Sequence, residues 1–417
     1  MVGRSSFTRG AGQATAGLVE DVIILGGGLV GLTLAAALDA SGLSATVIEA
    51  ADPAAQAAPG FDLRATAVAS ASWRMLEAIG VAGALAAEAC PIQAIRVSDG
   101  LEPGAIDFAP SDDEPLGLMV LNARLRAALT ERVRAAANAR LLAPARASSV
   151  DRGEHGVSVT LESGEVLRAA LLVAADGRRS PTREAAGIPL ARWAYDHAAI
   201  VGTLDHERSH GNTAFEIFYP SGPFALLPLQ PGTRSAFVWS VAASDLAGYL
   251  KLGPRAFGHE LETRMGGLLG PVALVGERAG YPLGFHHAGR LTARRLALVG
   301  DAAHGIHPIA GQGLNLGLRD VAALAEVLSD GARLGLDLGD AQLLARYERW
   351  RALDTLAIAA STDGLTRLFG VPGRAASAVR RFGMGAVDKV PALKSFFMAE
   401  ARGTGGALPK LLRGEVA

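Results

Sequence analysis

Residues 21–49 constrain the fold more than any other part of the chain. Asp21 to Leu25 (DVIIL) is a short apolar run of strand length. It breaks into Gly26-Gly27-Gly28-Leu29-Val30-Gly31, a GxGxxG on Gly26, Gly28 and Gly31, and a helical segment follows from Leu32 to about Ala40. A second strand, Ala45 to Ile48, ends at Glu49, 18 residues after the last glycine. That spacing is close to the roughly 20 residues of a dinucleotide-binding unit. Gly26 serves the tight turn, Gly28 the approach of backbone to a pyrophosphate, and Gly31 the packing of helix on strand. Glu49 would accept a hydrogen bond from the adenosine ribose, which favours NAD or FAD over NADP. A glycine turn beside a solvated glutamate is the plainer alternative.

A second stretch, residues 296–321, reads LALVGDAAHGIHPIAGQGLNLGLRDV. Leu296 to Val299 is again a short apolar strand, and it stops at Gly300-Asp301, where Asp301 can accept hydrogen bonds from a sugar hydroxyl. Pro308, Gly311 and Gly313 leave little room for side chains. From Leu314 the pattern is helical, with Leu318, Val321 and Leu324 on one face. A glycine-rich turn opening a helix presents free N–H groups and the positive end of the helix dipole to an anion or an electron-rich ring edge. Alone, the stretch reads equally as a turn before a core helix. Beside the first motif it separates FAD from NAD, because a simple NAD enzyme has no use for a second dinucleotide-facing motif.

The order of residues in GDAAHGIHPIAGQGLNLGLRD resembles the second FAD-binding motif of the FAD-dependent ubiquinone-biosynthesis hydroxylases, a family within the aromatic-ring flavin monooxygenases. The resemblance runs from about residue 20 to 412. It implies that Gly300 and Asp301 hold the ribityl or pyrophosphate region of FAD. It also implies that Pro308 and the backbone of Gly311, Gln312, Gly313, Leu314 and Asn315 lie against the isoalloxazine ring. Asp176, in the Asp-Gly turn after Leu171 to Ala174, would touch FAD and the NAD(P)H route. Arg64 would lie near the flavin phosphates, with local pairing to Asp62 as the other reading. Two departures stand out. Leu121 and Ala123 flank Asn122 where the family has an acid and an arginine, which leaves Arg124 as the candidate contact and Arg126 next door. His197 stands where glutamine is expected.

The totals remove other classes. With 417 residues, half of them hydrophobic, the chain can bury a core for two or three domains. A formal net charge of −1 gives no field that favours nucleic acid. The one cysteine, Cys90, excludes an internal disulfide and a thiolate metal cluster. His304 and His307 have the spacing of a metal pair but sit inside the flavin motif without a third ligand, so no metal is expected. No apolar run approaches the roughly 20 residues of a membrane span, and residues 1–18 lack the apolar core of a secretory signal.

The expected fold is α/β (α+β). A Rossmann-like FAD-binding part spans 20–190, an antiparallel β-sheet substrate domain 191–290, the second FAD-binding half 291–330, and a helical C-terminal region 331–417. By resemblance the chain is a monooxygenase with noncovalent FAD. It would hydroxylate the aromatic ring of a polyprenylated phenol, using O2 and NAD(P)H or another electron donor. No catalytic side chain is identified. The location is cytoplasmic, with the region after Gly364 (nine basic residues against three acidic) either a solvated helix face or a peripheral contact on the inner face of a membrane. A polyprenyl reductase, a different aromatic hydroxylase, or a non-catalytic FAD-binding subunit among quinone-synthesis complex proteins are the alternatives.

Overall fold

In the computed structural model the described residues are 19–58, 60–101, 105–110, 114–305, 312–352 and 390–417. Apolar runs bounded by glycine become the strands of a largely parallel sheet. Its order in space is Thr292–Ala293, Leu296–Leu298, Val166–Ala174, Val19–Leu25, Ala45–Ile48 and Ala139–Leu142. The hairpin partner Val157–Leu161 and the strand Ala147–Arg152 extend it from the side of Val166–Ala174. The register pairs Leu25 with both Ile48 and Ala174, and Ala174 with Leu298. Four strands therefore end level, and the turns that follow them meet at one edge. Ligands of open α/β sheets bind at that edge.

Both faces of this sheet are covered. The helix Leu29–Ala40 (LVGLTLAAALDA) is apolar nearly all round, as a helix sandwiched between layers must be, and eight of its residues are buried. The helix Gln312–Arg333 crosses it. The short turn Lys410–Arg413 returns to this core, with Leu411 and Leu412 fully buried against it.

The second sheet is mostly antiparallel. Its order is His304–Gly305, Val272–Ala288, Leu190–His206, Arg234–Ala242, Gly222–Leu229, Thr213–Tyr219, Ala94–Asp99 and Ile106–Phe108. Alternation along these strands separates two faces. Phe215, Ile217, Phe224, Leu226, Phe237 and Trp239 pack on Phe257, Leu261 and Met265 of the helix Pro254–Met265. The opposite face, through Ala199, Val201, Ala225, Leu227 and Val238, lines a cavity that it shares with the first sheet. A three-stranded sheet of Ala65–Ala69, Gly117–Leu121 and Cys90–Ile92 fills the corner between them.

The expected α/β class with an antiparallel substrate sheet holds. The division at 191–290 is too narrow for that sheet, which recruits Ala94–Asp99, Ile106–Phe108 and His304–Gly305 from the flanking segments. A sheet edge is completed by whichever strand reaches it in space, so its limits do not follow chain order.

Candidate functional site

The glycine turn is built as its spacing requires. Gly26 has φ +108°, and a Cβ there would stand 2.3 Å from the Ala175 carbonyl oxygen. At Gly31 a Cβ would fall 2.0 Å from the Gly26 oxygen, so the helix could not begin so close to the strand. A Cβ at Gly28 would meet nothing within 4 Å, and no side chain caps the helix that starts at Leu29. Its first-turn N–H groups are thus an anion receptor. The Glu49 carboxylate accepts hydrogen bonds from Gly27 N (2.6 Å) and Ala51 N (2.7 Å). It is therefore fixed at the end of its strand, next to the turn.

The second glycine motif meets the first. Gly300 takes φ +58°, and a Cβ there or at Gly317 would press on Val30, at 3.0 Å and 2.8 Å. Behind the turn lies a buried polar knot. Asp320, with no exposed surface, accepts from Gly300 N (2.9 Å), His304 Nε2 (2.6 Å) and Arg351 Nε (2.7 Å). Burial alone would raise its carboxyl, but the charges of His304 and Arg351 and their hydrogen bonds outweigh that and hold it below the usual carboxylate range. Tyr347 donates to the Leu298 carbonyl (2.7 Å) and ties the same knot to the strand end. Asp301 is left exposed in front of it.

A cavity of about 580 Å³ opens between the three sheets. Gly28, Leu29, Val30, Arg64, Arg126, Asp301, Gly313 and Leu314 line it from the nucleotide side. Ala199, Val201, Glu216, Ala225, Leu227 and Val238 line it from the second sheet. His286 donates from Nε2 to the Asp301 carbonyl oxygen (2.8 Å), leaving Nδ1 buried and unpartnered; burial lowers its pKa and keeps the ring neutral.

The residues singled out in the sequence fall into several groups here. Gly26, Gly31 and Gly300 shape the backbone behind the cavity, and Glu49 closes on Gly27. Arg64 makes the local pair with Asp62 that is its alternative reading, and it also lines the cavity. It forks onto Asp62 through two bonds of 2.8 Å, which with the Asp62 charge raise its pKa against the opposing effect of desolvation, and it stands over the Tyr281 ring at the cavity wall. Asp176 accepts from Thr182 N (3.1 Å) while its other oxygen is buried without a partner. The Asn315 side chain turns away from the cavity and clamps the strand Ala65–Ala69, accepting from Ala69 N and donating to Ala67 O. Pro308, Gly311 and His307 lie outside the described residues, and of Gln312 only the backbone is described. Arg124 does not reach the cavity. It pairs with Glu88 on the exposed side of its helix, because two residues of helix turn a side chain to the far face. Arg126 occupies the inner face instead, with its Nε buried and unpartnered and its guanidinium desolvated enough to lower its pKa.

Sequence reasoning passed over Glu216, His286 and Asp320. Only Asp320 had a local signal, the GLRD at the end of the second motif. No group of histidine, cysteine, aspartate and glutamate among the described residues has the arrangement of a metal site.

The model of an FAD binding domain matches residues 20–359. Ubiquinone hydroxylase UbiL of Rhodospirillum rubrum is 48% identical over 400 residues, which cover 95% of this chain and 93% of that protein. The 3-demethoxyubiquinol 3-hydroxylase of Escherichia coli is 34% identical across 82% of this chain and 88% of its own. Among solved structures, p-nitrophenol 4-monooxygenase PnpA of Pseudomonas putida superposes with a TM-score of 0.77 at 19% identity, over 94% of this chain and 99% of that one. That last likeness is one of fold.

Proposed function

The chain belongs to the FAD-dependent ubiquinone-biosynthesis hydroxylases, and on that premise we propose how its own residues hold the cofactor and the ring. It is an aromatic-ring monooxygenase with FAD as cofactor. The observation that carries the reading is a cavity with two unlike walls, glycine turns and cations on one side and an apolar sheet face on the other.

The residues present fit FAD. The uncapped helix at Leu29, the open space at Gly28 and the unpartnered Arg126 Nε together suit a pyrophosphate. Glu49 and Asp301 suit ribose and ribityl hydroxyls, and the unpartnered Asp176 oxygen can accept one more donor. Gly313 and Leu314, where the long helix begins, offer backbone to a ring edge. Bound and reduced FAD supplies, with O2, the oxygen atom that enters the substrate ring. The protein orients the phenol over the cofactor against Ala199, Val201 and Ala225 and keeps water from the reacting centre.

The substrate in this reading is a polyprenylated phenol, with NAD(P)H as reductant. Its tail is too long to bury beside a flavin, so it leaves toward a surface that meets the membrane. Phe396, 56% exposed, and Phe397 on the helix Pro391–Arg402, beside Lys394, support that surface. No helix among the described residues is long and apolar enough to cross a membrane. Stronger sedimentation with anionic than neutral vesicles, abolished by high salt, is the expected signature.

The purified chain should be yellow and release FAD on denaturation. With NAD(P)H, labelled O2 and an ortho-prenylphenol it should return a phenol carrying one labelled oxygen. A protein that cannot be loaded with FAD, or that consumes reductant while the phenol is recovered unchanged, would overturn the reading.

A further inference from the structure

Glu216 takes no part in the cofactor side of the cavity, and its surroundings are unusual for a carboxylate. It sits on the strand Thr213–Tyr219, where neighbouring residues Phe215 and Ile217 point into the core under the sheet. Glu216 therefore points the other way, into the cavity. Strand register identifies its neighbours on that face. Val97 lies opposite on one side and Ala225 on the other; Ala225 faces Val238, and Val238 faces Val201. One carboxylate thus stands in a row of valines and alanines. Such a row suits an apolar ring, and only Glu216 in it can exchange a proton.

Among the described residues it has no hydrogen bond and no ion pair, although the cavity holds cations. Each of those is engaged elsewhere. Arg64 is forked onto Asp62, Arg178 donates to the Gly284 carbonyl, and Arg126 stands at the glycine turn. Of the remaining titratable lining groups, Tyr281 lies under Arg64, His286 is tied to the Asp301 carbonyl and His304 to Asp320. Asp99, two residues beyond Val97 on the adjacent strand, does not line the cavity. Asp301, the other carboxylate on the cavity, lies exposed at the second glycine turn, where it faces the cofactor side. An acceptor left free on the apolar wall, apart from the groups of the cofactor side, is placed for a ligand.

We propose that the Glu216 carboxylate accepts the proton of the substrate's ring hydroxyl and so acts as the general base of ring activation. This rests on the hydroxylase reading above. The phenol O–H bond breaks and a Glu216 O–H bond forms, leaving the electron pair on the ring oxygen. That pair feeds the ring carbon that takes up the oxygen atom supplied with bound FAD and O2. The carbon then loses its hydrogen as a proton, and Glu216 returns its own to the product's ring oxygen. The carboxylate ends as it began, and the redox balance is that of the hydroxylation itself. Burial in the apolar wall pushes the Glu216 carboxyl up to about 7, so that it holds and releases a proton near neutral pH. The surface it retains opens on the cavity, which is why a half-buried residue behaves as a desolvated one.

The test uses holoenzyme and an ortho-prenylphenol, with hydroxylated product and NAD(P)H consumption followed from pH 5 to 9. Wild type should show an acid limb near pH 7 in product formation. Glu216→Gln should bind FAD with unchanged affinity, lose roughly 100-fold in kcat for product, and lose the acid limb. Glu216→Asp, which keeps a carboxylate on a shorter stem, should recover part of the rate and the limb with it. A Gln variant with wild-type kcat and an unaltered pH profile would overturn the inference and leave the hydroxylase reading intact. If the Gln variant does not fold, a wild-type profile flat across pH 7 overturns it equally. Wild type that never hydroxylates the phenol defeats the hydroxylase reading, which is a separate failure.

Discussion

The two walls of the cavity treat their carboxylates in opposite ways. On the nucleotide side three acids behind the cavity lining are held by donors, Glu49 by two backbone N–H groups, Asp62 by the Arg64 fork and Asp320 by three donors at 2.9 Å or less, while Asp301 lies exposed in front of them. On the sheet side Glu216 has none among the described residues, and small apolar residues surround it. A resident cofactor needs a receptor whose charge never changes, and hydrogen bonds supply that by favouring the ionised form. A ring that enters, reacts and leaves is better met by a group whose charge can change, and desolvation supplies that. Removing an acid should therefore destabilise the first wall and relieve the second.

The largest effect belongs to Asp320. Asp320→Ala removes a buried carboxylate that Arg351 and His304 donate to and orphans the Gly300 N–H. The cost should be about 3–5 kcal/mol of apoprotein stability, read by urea denaturation. A loss below about 1 kcal/mol would mean that the knot is not structural and that the contrast between the walls is drawn in the wrong place.

A smaller effect sharpens the comparison within one helix. Arg126→Ala should weaken FAD binding by roughly ten-fold to a hundred-fold, about 1.5–3 kcal/mol. Arg124→Ala should change it by no more than about 0.5 kcal/mol. Fluorescence titration of the apoproteins with FAD measures both, and the reverse order would return the contact to Arg124.

These two arginines also show what the chain discloses in advance. The glycine turns could be read directly because their demands are local: a positive φ at Gly26, no room for a Cβ at Gly31. So could the strands ending at Leu25 and Ile48. The sheet wall resisted reading for two reasons. In TAFEIFY one polar residue among apolar ones is also the pattern of an antiparallel strand with a solvated face. Only the pairing of Glu216 with Val97 and Ala225 shows that this face looks into a cavity. The long strand Val272–Ala288 (VALVGERAGYPLGFHHA) hides its period behind internal glycines, charges and a proline. Asp320 was visible in GLRD, but its partners His304 and Arg351 come from 16 and 31 residues away, and their convergence is a property of the folded chain.

The smallest effect is the most specific to the contrast, because its sign is opposite to that expected at Asp320. Glu216 has its pKa raised by burial from an ordinary 4.5 to about 7. The folded state therefore binds more protons than the unfolded chain between those values, and its stability falls as pH rises through that window. Below pH 4.5 the carboxyl is neutral in both states and carries no ionisation penalty. Above pH 7 the folded protein must hold a desolvated charge. Glu216→Gln removes that charge while keeping shape and polarity. The variant should be more stable than wild type at pH 8 by about 1–3 kcal/mol, allowing for the part of the side chain that still meets the cavity. The gap should close progressively toward pH 4.5. Thermal unfolding of the two apoproteins across this range measures it. A variant that is less stable than wild type at pH 8 would show that Glu216 has an electrostatic partner in the protein after all, and would align it with the acids of the opposite wall.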